Sequence, residues 1–278
     1  MADNRPIGVF DSGIGGLTVL REIISAVPGE STIYFGDDGR APYGTKSHET
    51  IIKYALQDMM FLKSQNVKMI VIACNTASTH AYKALKEASD VPVIEVVVPG
   101  ARASVKATRN GKIGIIATRA TVASGLYESA VREEGKGIEG LEVISQACPM
   151  FVSLAEEGWW DDEVTLLTAQ KYLEPLKKAG VDTVVLACTH YPLLANTISK
   201  VMGPGVTLIN SGIAVAGDVK QILDKNGMRS DGSFVEHRFF TSDDPSIFEN
   251  VAAPFLGRGL PKGTKKVAVD RYDTGDLL

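Results

Sequence analysis

The feature that most narrows what this chain can fold into is an alternation. Short runs rich in β-branched residues stand at positions 7–10, 32–36, 69–73, 93–98, 113–117, 141–145, 183–187, 206–209 and 238–241. Between them lie segments whose apolar residues recur at three and four spacing, at 16–26, 47–66, 76–89, 99–108, 121–134, 161–179, 192–202 and 212–226. The first set predicts strands and the second helices. Strict alternation builds βαβ units, because parallel neighbours need a crossover connection. The expected fold class is α/β with mostly parallel sheet.

At 278 residues the chain holds roughly two domains of about 150 residues each. It also repeats itself. Ile7-Gly-Val-Phe-Asp-Ser12 resembles Ile113-Gly-Ile-Ile-Ala-Thr118 at an offset of 113 − 7 = 106, and Ile70-Val-Ile-Ala-Cys-Asn75 resembles Val184-Val-Leu-Ala-Cys-Thr189 at 188 − 74 = 114. Near-equal offsets read as two related α/β units. Buried strands resemble one another anyway, but both members of the second pair end in Ala-Cys followed by a polar residue.

Cys74 and Cys188 therefore stand where an apolar strand stops and a helix begins. In parallel sheets that edge forms the ligand crevice, and the helix start offers unpaired N–H groups. A thiol there is expected to have a depressed pKa, since the positive end of the helix dipole favours thiolate. Each is a candidate nucleophile or base. The third cysteine, Cys148, precedes Pro149 and fits a buried apolar role. His190, two residues after Cys188, is placed to share its proton. Zinc is excluded as the reading of these residues: there is no Cys-x-x-Cys pair, and Cys-x-His supplies two ligands of four.

Asp11-Ser-Gly-Ile-Gly-Gly16 closes the first strand and opens the first helix, with glycines that let N–H groups approach an anion. It is not a dinucleotide fingerprint, because Thr18 stands where the third glycine belongs. Asp11 lies at the strand-end surface, where it would hold an ammonium group or share a proton with a thiol. The turn-rich stretch from Gly36 to Gly44 places Tyr43 and the Gly44 N–H to grip a second carboxylate, with Arg40 as a weaker carboxylate clamp than a structural residue.

Together these motifs have a known counterpart. Phe-Asp-Ser-Gly-Ile-Gly-Gly-Leu-Thr at 10–18, Tyr-Phe-Gly-Asp at 34–37 leading to Pro-Tyr-Gly at 42–44, Ala-Cys-Asn-Thr-Ala at 73–77 and Ala-Cys-Thr-His-Tyr-Pro at 187–192 resemble the glutamate racemase family of the aspartate/glutamate racemase superfamily, from about residue 7 to 257. The resemblance implies two α/β domains related by a pseudo-two-fold axis, residues 1–98 plus 210–278 and residues 99–209, with the active site in the cleft between them. It implies interconversion of L- and D-glutamate without cofactor or metal, supplying D-glutamate for peptidoglycan and hence for the cell wall and cell shape. By position, Cys74 would take the proton from the D enantiomer and Cys188 from the L enantiomer. Asp11 and His190 would assist them. Asp11, Ser12, Pro42, Tyr43, Gly44, Asn75, Thr76, Thr189 and His190 match substrate-binding positions, and Thr118 and Thr121 a further contact region. Glu156 corresponds to an acidic family residue, with Glu157 beside it as the competing position.

Two other readings use the same residues. The nearest is racemisation of another acidic amino acid, chiefly aspartate; Tyr43-Gly44 and the His190 motif favour glutamate. The second is a non-catalytic binding or regulatory protein on this fold, which has no need of two symmetric thiols. A net charge of -4 without basic runs gives no nucleic-acid footprint. Three cysteines cannot form a disulfide framework, and no apolar stretch is long enough to span a bilayer. A cytoplasmic protein is expected, and a homodimer from the resemblance, with Trp159-Trp160 as either surface patch or core corner.

Overall fold

The computed structural model describes residues 2–260, 263–272, 274 and 275. The first half runs β1 (Ile7–Asp11), α1 (Leu17–Ala26), β2 (Thr32–Gly36), α2 (His48–Ser64), β3 (Met69–Ile72), α3 (Asn75–Ala88), β4 (Val93–Glu95) and α4 (Val97–Ala107). It continues through β5 (Lys112–Ala117), α5 (Arg119–Ser124), α6 (Leu126–Glu134), β6 (Glu142–Ala147), α7 (Met150–Glu156), α8 (Glu163–Ala179), β7 (Thr183–Ala187), α9 (Ala195–Met202) and β8 (Thr207–Asn210). The chain closes with α10 (Ser211–Lys225), β9 (His237–Thr241), α11 (Pro245–Leu256) and β10 (Lys265–Lys266).

These strands form two sheets, ordered β10-β9-β2-β1-β3-β4 and β6-β5-β7-β8, with every pairing parallel. Four adjacent strands of the first sheet, up to its β4 edge, have the order of the second: β2, β1, β3, β4 answer to β6, β5, β7, β8. The two sequence repeats fall on β1 with β5 and on β3 with β7. Two related α/β units is thus the architecture, and the chain passes from one sheet to the other after β4 and back after β8.

Each sheet is covered on both faces, as a parallel sheet must be. In the first, α1, α10 and α11 bury Leu17, Leu20, Val215, Val219, Phe248 and Phe255 against one face, while α2 and α3 bury Ile51, Leu56, Ala77 and Leu85 against the other. In the second, Leu173, Leu176 and Ile198 cover one face, and Ala101, Tyr127 and Val131 the other. All of β1, β2, β3 and β7 is buried, which is why these runs read as continuously apolar.

Several boundaries differ from the sequence expectation. The strand expected at 93–98 stops at Glu95, because its side chain accepts from the N–H groups of Val97 and Val98 and starts α4 there. The helix expected at 121–134 is two, broken at Gly125, whose φ of +65° ends one helix and opens the next. Helices α7 and α11 had no sequence counterpart. From residue 261 the polar sequence with its one Val-Ala-Val interruption predicts a final strand and a frayed tail; a strand is present as the short β10, and residues 261, 262, 273 and 276–278 lie outside the described residues. Trp160 is half-buried, its indole N–H donating to Ala155 O at 2.9 Å, and Trp159 is exposed. Among the described residues no helix is long and apolar enough to cross a membrane.

Candidate active site

The carboxyl ends of β1, β3, β5 and β7 converge on one small cavity of about 30 Å³, well below the range for occupied ligand sites. Ser12, Pro42, Tyr43, Gly44, Cys74, Asn75, Thr76, Thr118, Cys188, Thr189 and His190 line it, with Val152 and Ala187, which sequence reasoning did not single out. Val152 comes from the unexpected α7. Asp11, Thr121 and Glu156 stand behind this wall, each bonded to a residue in it.

Cys74 is the N-cap of α3. Its sulfur accepts from the Ala77 N–H at 3.4 Å and its thiol donates to Ser12 Oγ at 3.5 Å. The depressed pKa expected from the helix start is not what the structure gives. Burial pushes the Cys74 thiol up to about 12, and the Asp11 charge adds to the rise. A helix terminus contributes about half an elementary charge; loss of water and a nearby carboxylate outweigh it. Cys148 is buried just past the carboxyl end of β6, and its pKa is also raised, first by burial and then by Cys188.

Cys188 has different company. Its sulfur lies 3.8 Å from His190 Nδ1, and His190 Nε2 donates to Glu156 Oε1 at 2.9 Å. Burial alone would lower the imidazole pKa, but hydrogen bonds to Cys188 and Glu156 outweigh it and raise it to about 10. Of the two neighbouring glutamates, Glu156 is the one that faces His190, while Glu157 is the C-cap of α7. So one thiol faces a protonated imidazole and the other a carboxyl group.

Asp11 ends β1 between the two. It accepts from the Gly13 N–H at 3.1 Å and from Thr189 Oγ1 at 3.5 Å, and burial raises its carboxyl to about 6 against the opposing His190 charge. The glycines after it serve close packing more than anion approach. A Cβ on Gly15 would stand 2.4 Å from Thr189 Oγ1, and one on Gly16 2.4 Å from Asp11 Cβ.

Hydroxyls complete the wall. Thr76 Oγ1 lies 3.0 Å from Thr118 Oγ1 and 3.1 Å from Thr121 Oγ1, and Thr118 donates to Thr121 at 3.0 Å, a triangle drawn from both sheets. Asn75 Oδ1 is buried and receives no hydrogen bond from the described residues. Tyr43 departs from expectation: its hydroxyl is engaged by Asp37 and Asp58 behind the wall. The 42–44 turn is left with its backbone as the polar face for a ligand.

Paired thiols at equivalent strand ends, on a repeated α/β unit, define a racemase-like site, and comparison with known proteins agrees. The family model for Asp/Glu/hydantoin racemases matches residues 7–218, and the chain belongs to that family. It is an isomerase, and the relatives it sides with are glutamate racemases. The one from Geobacter metallireducens is 48% identical over 255 residues, covering 91% of this chain and 93% of the relative. The solved Bacillus anthracis glutamate racemase superposes with a TM-score of 0.90 at 41% identity, covering 95% of this chain and 98% of that one. The Francisella tularensis glutamate racemase, solved in complex with D-glutamate, gives 0.89 at 38%, covering 97% and 100%.

Proposed function

We propose that the protein interconverts L- and D-glutamate by two-base proton transfer at Cα. The observation that carries this reading is the placement of Cys74 and Cys188 at the ends of topologically equivalent strands, lining one cavity from two sheets. Racemisation removes a proton from one face and delivers one to the other, and a single base tends to return it where it came from. In the L-to-D direction the Cys188 thiolate, held beside the His190 imidazolium, abstracts the Cα proton, and the Cys74 thiol donates its proton to the opposite face. In the reverse direction Asp11 accepts the Cys74 proton so that this thiol acts as base. Glu156 fixes the His190 ring.

A Cα–H bond is a very weak acid, so the intermediate charge needs fixed donors in a dry site. Ser12, Thr76, Thr118, Thr121 and Thr189 supply hydroxyls, the Pro42-Tyr43-Gly44 backbone supports the second carboxylate, and Asn75 Oδ1 is an acceptor for the ammonium group. On this reading the reaction needs no cofactor or metal. Residues 1–98 with 210–278 make one domain and 99–209 the other. The product D-glutamate would serve peptidoglycan, and so the cell wall and cell shape, in the cytoplasm, with the enzyme as a homodimer.

The test is circular dichroism of L-glutamate incubated with chelator-dialysed enzyme. Wild type is expected to bring the signal to zero. Cys74→Ser and Cys188→Ser are expected to abolish racemisation, each retaining Cα exchange into heavy water from one enantiomer. Full activity in either mutant, or turnover of aspartate with none of glutamate, would overturn the reading.

A further inference from the structure

Arg40 drew attention in the sequence as a candidate clamp for a substrate carboxylate, and the structure gives it another task. Its guanidinium lies behind the cavity wall. Nε donates to Asp37 Oδ2 at 2.7 Å, Nη2 to Asp58 Oδ1 at 2.8 Å and Nη1 to Gln57 Oε1 at 2.5 Å, and the group sits over the Tyr54 ring at 4.1 Å. Gln57 in turn donates to Tyr272 O at 3.0 Å. Tyr43, whose backbone borders the cavity, reaches the same cluster through its hydroxyl, which contacts Oδ2 of Asp37 and Oδ2 of Asp58.

A proton count constrains this cluster. A phenol has one hydrogen to donate, yet two carboxyl oxygens stand at hydrogen-bonding distance from it. If both were ionised, one contact would be oxygen against oxygen with no proton between them. Charge gives the same answer: among the described residues Arg40 is the single cation paired with Asp37 and Asp58, Tyr43, Tyr54, Gln57 and Ser242 are neutral, and the nearby carboxyl of Asp38 adds only negative charge. The consistent assignment places a proton on Asp58 Oδ2, donated to the Tyr43 oxygen, while Tyr43 donates to Asp37 Oδ2. That oxygen also receives Arg40 Nε, so Asp37 is the ionised partner of the pair.

We infer that Arg40 and a neutral, proton-bearing Asp58 are positioning residues: with ionised Asp37 they lock the Tyr43 ring, and through it the 42–44 backbone, against the substrate. Burial supports the same protonation pattern, pushing the Asp58 carboxyl well above the usual range, with the Asp37 charge adding to it. Tyr43 is thereby held from its far end, and the turn keeps one shape while the ligand comes and goes. The inference rests on the glutamate reading for the identity of the ligand that the turn receives.

The experiment compares Asp58→Asn, Asp58→Leu, Asp37→Asn and Arg40→Lys by glutamate KM and kcat, with melting temperature measured alongside. An amide copies the donor and acceptor pattern of a protonated carboxyl, so Asp58→Asn is expected to hold KM within about threefold of wild type. Asp58→Leu is expected to raise it at least tenfold. Asp37→Asn sets an amide N–H or an un-ionised acceptor against two donors, and Arg40→Lys loses the fork; both are expected to raise KM at least tenfold with kcat changed far less. A purely structural cluster would lower the melting temperature and leave the KM of the folded enzyme unmoved in all four, which would overturn the inference. Equal KM in Asp58→Asn and Asp37→Asn would overturn the proton assignment. Wild type that neither binds nor racemises glutamate would instead sink the functional reading.

Discussion

Asp11 is a fully buried carboxyl, and its ionisation weakens the fold. Its folded-state pKa of about 6 lies above the ordinary value of 3.8, so the native state holds the proton more tightly than the unfolded chain does. The associated stability is present below about pH 4 and lost as pH rises through about 6. The shift corresponds to roughly 3 kcal/mol as an upper figure. Asp11→Asn keeps an acceptor for the Gly13 N–H and removes the charge. It is expected to melt several degrees above wild type at pH 8, with the gap closing toward pH 4, while D-glutamate turnover falls sharply. A melting series across that range checks it, and a mutant that melts lower at pH 8 contradicts it. His190 is held in its charged form instead, and what that contributes is likewise lost with rising pH. With its pKa raised to about 10, its charge persists through neutral pH and is lost as pH climbs past 10. Glu156→Gln removes one support of that charge, so the basic limb of the L-glutamate kcat/KM profile should move to lower pH; an unmoved limb would deny Glu156 this role. The sequence announced these residues by their strand-end positions. It could not announce the Cys74 pKa, because the burial that raises it depends on the second sheet closing over the first, and it could not choose between Glu156 and Glu157 without the phase of a helix it did not reveal.

Among elements, the segment from Asp11 to α1 shows why a glycine-rich turn need not be a phosphate cradle. Gly16 sits at φ −62°, a conformation open to any residue, so glycine is required there for space. At Gly15 the nearest atoms to an added Cβ belong to Thr189 and His190. Gly15→Ala is therefore expected to displace the His190 ring and lower kcat/KM for L-glutamate at least tenfold, with a far-ultraviolet circular dichroism spectrum like that of wild type. Activity within twofold of wild type would show that the two sheets tolerate a wider gap. Nearly every expected strand and helix exists, since parallel strands buried on both faces must be apolar throughout. The missed α11 is instructive: Phe248, Ala252, Phe255 and Leu256 lie at helical spacing on its buried face. Pro245 and Pro254 hide it from a reading that treats proline as a stop, although Pro245 occupies the first turn, where proline is favoured. Helix α7 is seven residues long, too short for periodicity to register.

For the molecule as a whole, the repeated strand order turns the two offsets in the sequence into geometry: equivalent strands bring equivalent cysteines to one cavity. What the sequence could not supply is how tightly the units meet. Cys74 is 5% exposed and Cys188 7%, so glutamate cannot reach them unless the units separate at some edge. Two seams connect them. On one side α4 packs on α10, tied by the Arg102 to Asp218 ion pair at 3.2 Å, and Thr18 donates to Thr189 O at 2.9 Å. On the other, α5 meets α3 and the 43–45 turn through the Thr76, Thr118 and Thr121 hydroxyls and through His80 at 3.4 Å from Ala120 O. The first seam holds both chain crossings and buried packing. The second is made of side-chain hydrogen bonds that water can replace, each contributing only about 1 kcal/mol. Opening therefore belongs at the α5 seam with α4 and α10 as the hinge. Amide hydrogen exchange locates it: without glutamate the N–H groups of α5 and of the 43–45 turn should exchange faster than those of α4 and α10, and saturating glutamate should slow them at least tenfold. If α4 and α10 change instead, entry runs through the other seam and the hinge assignment is reversed.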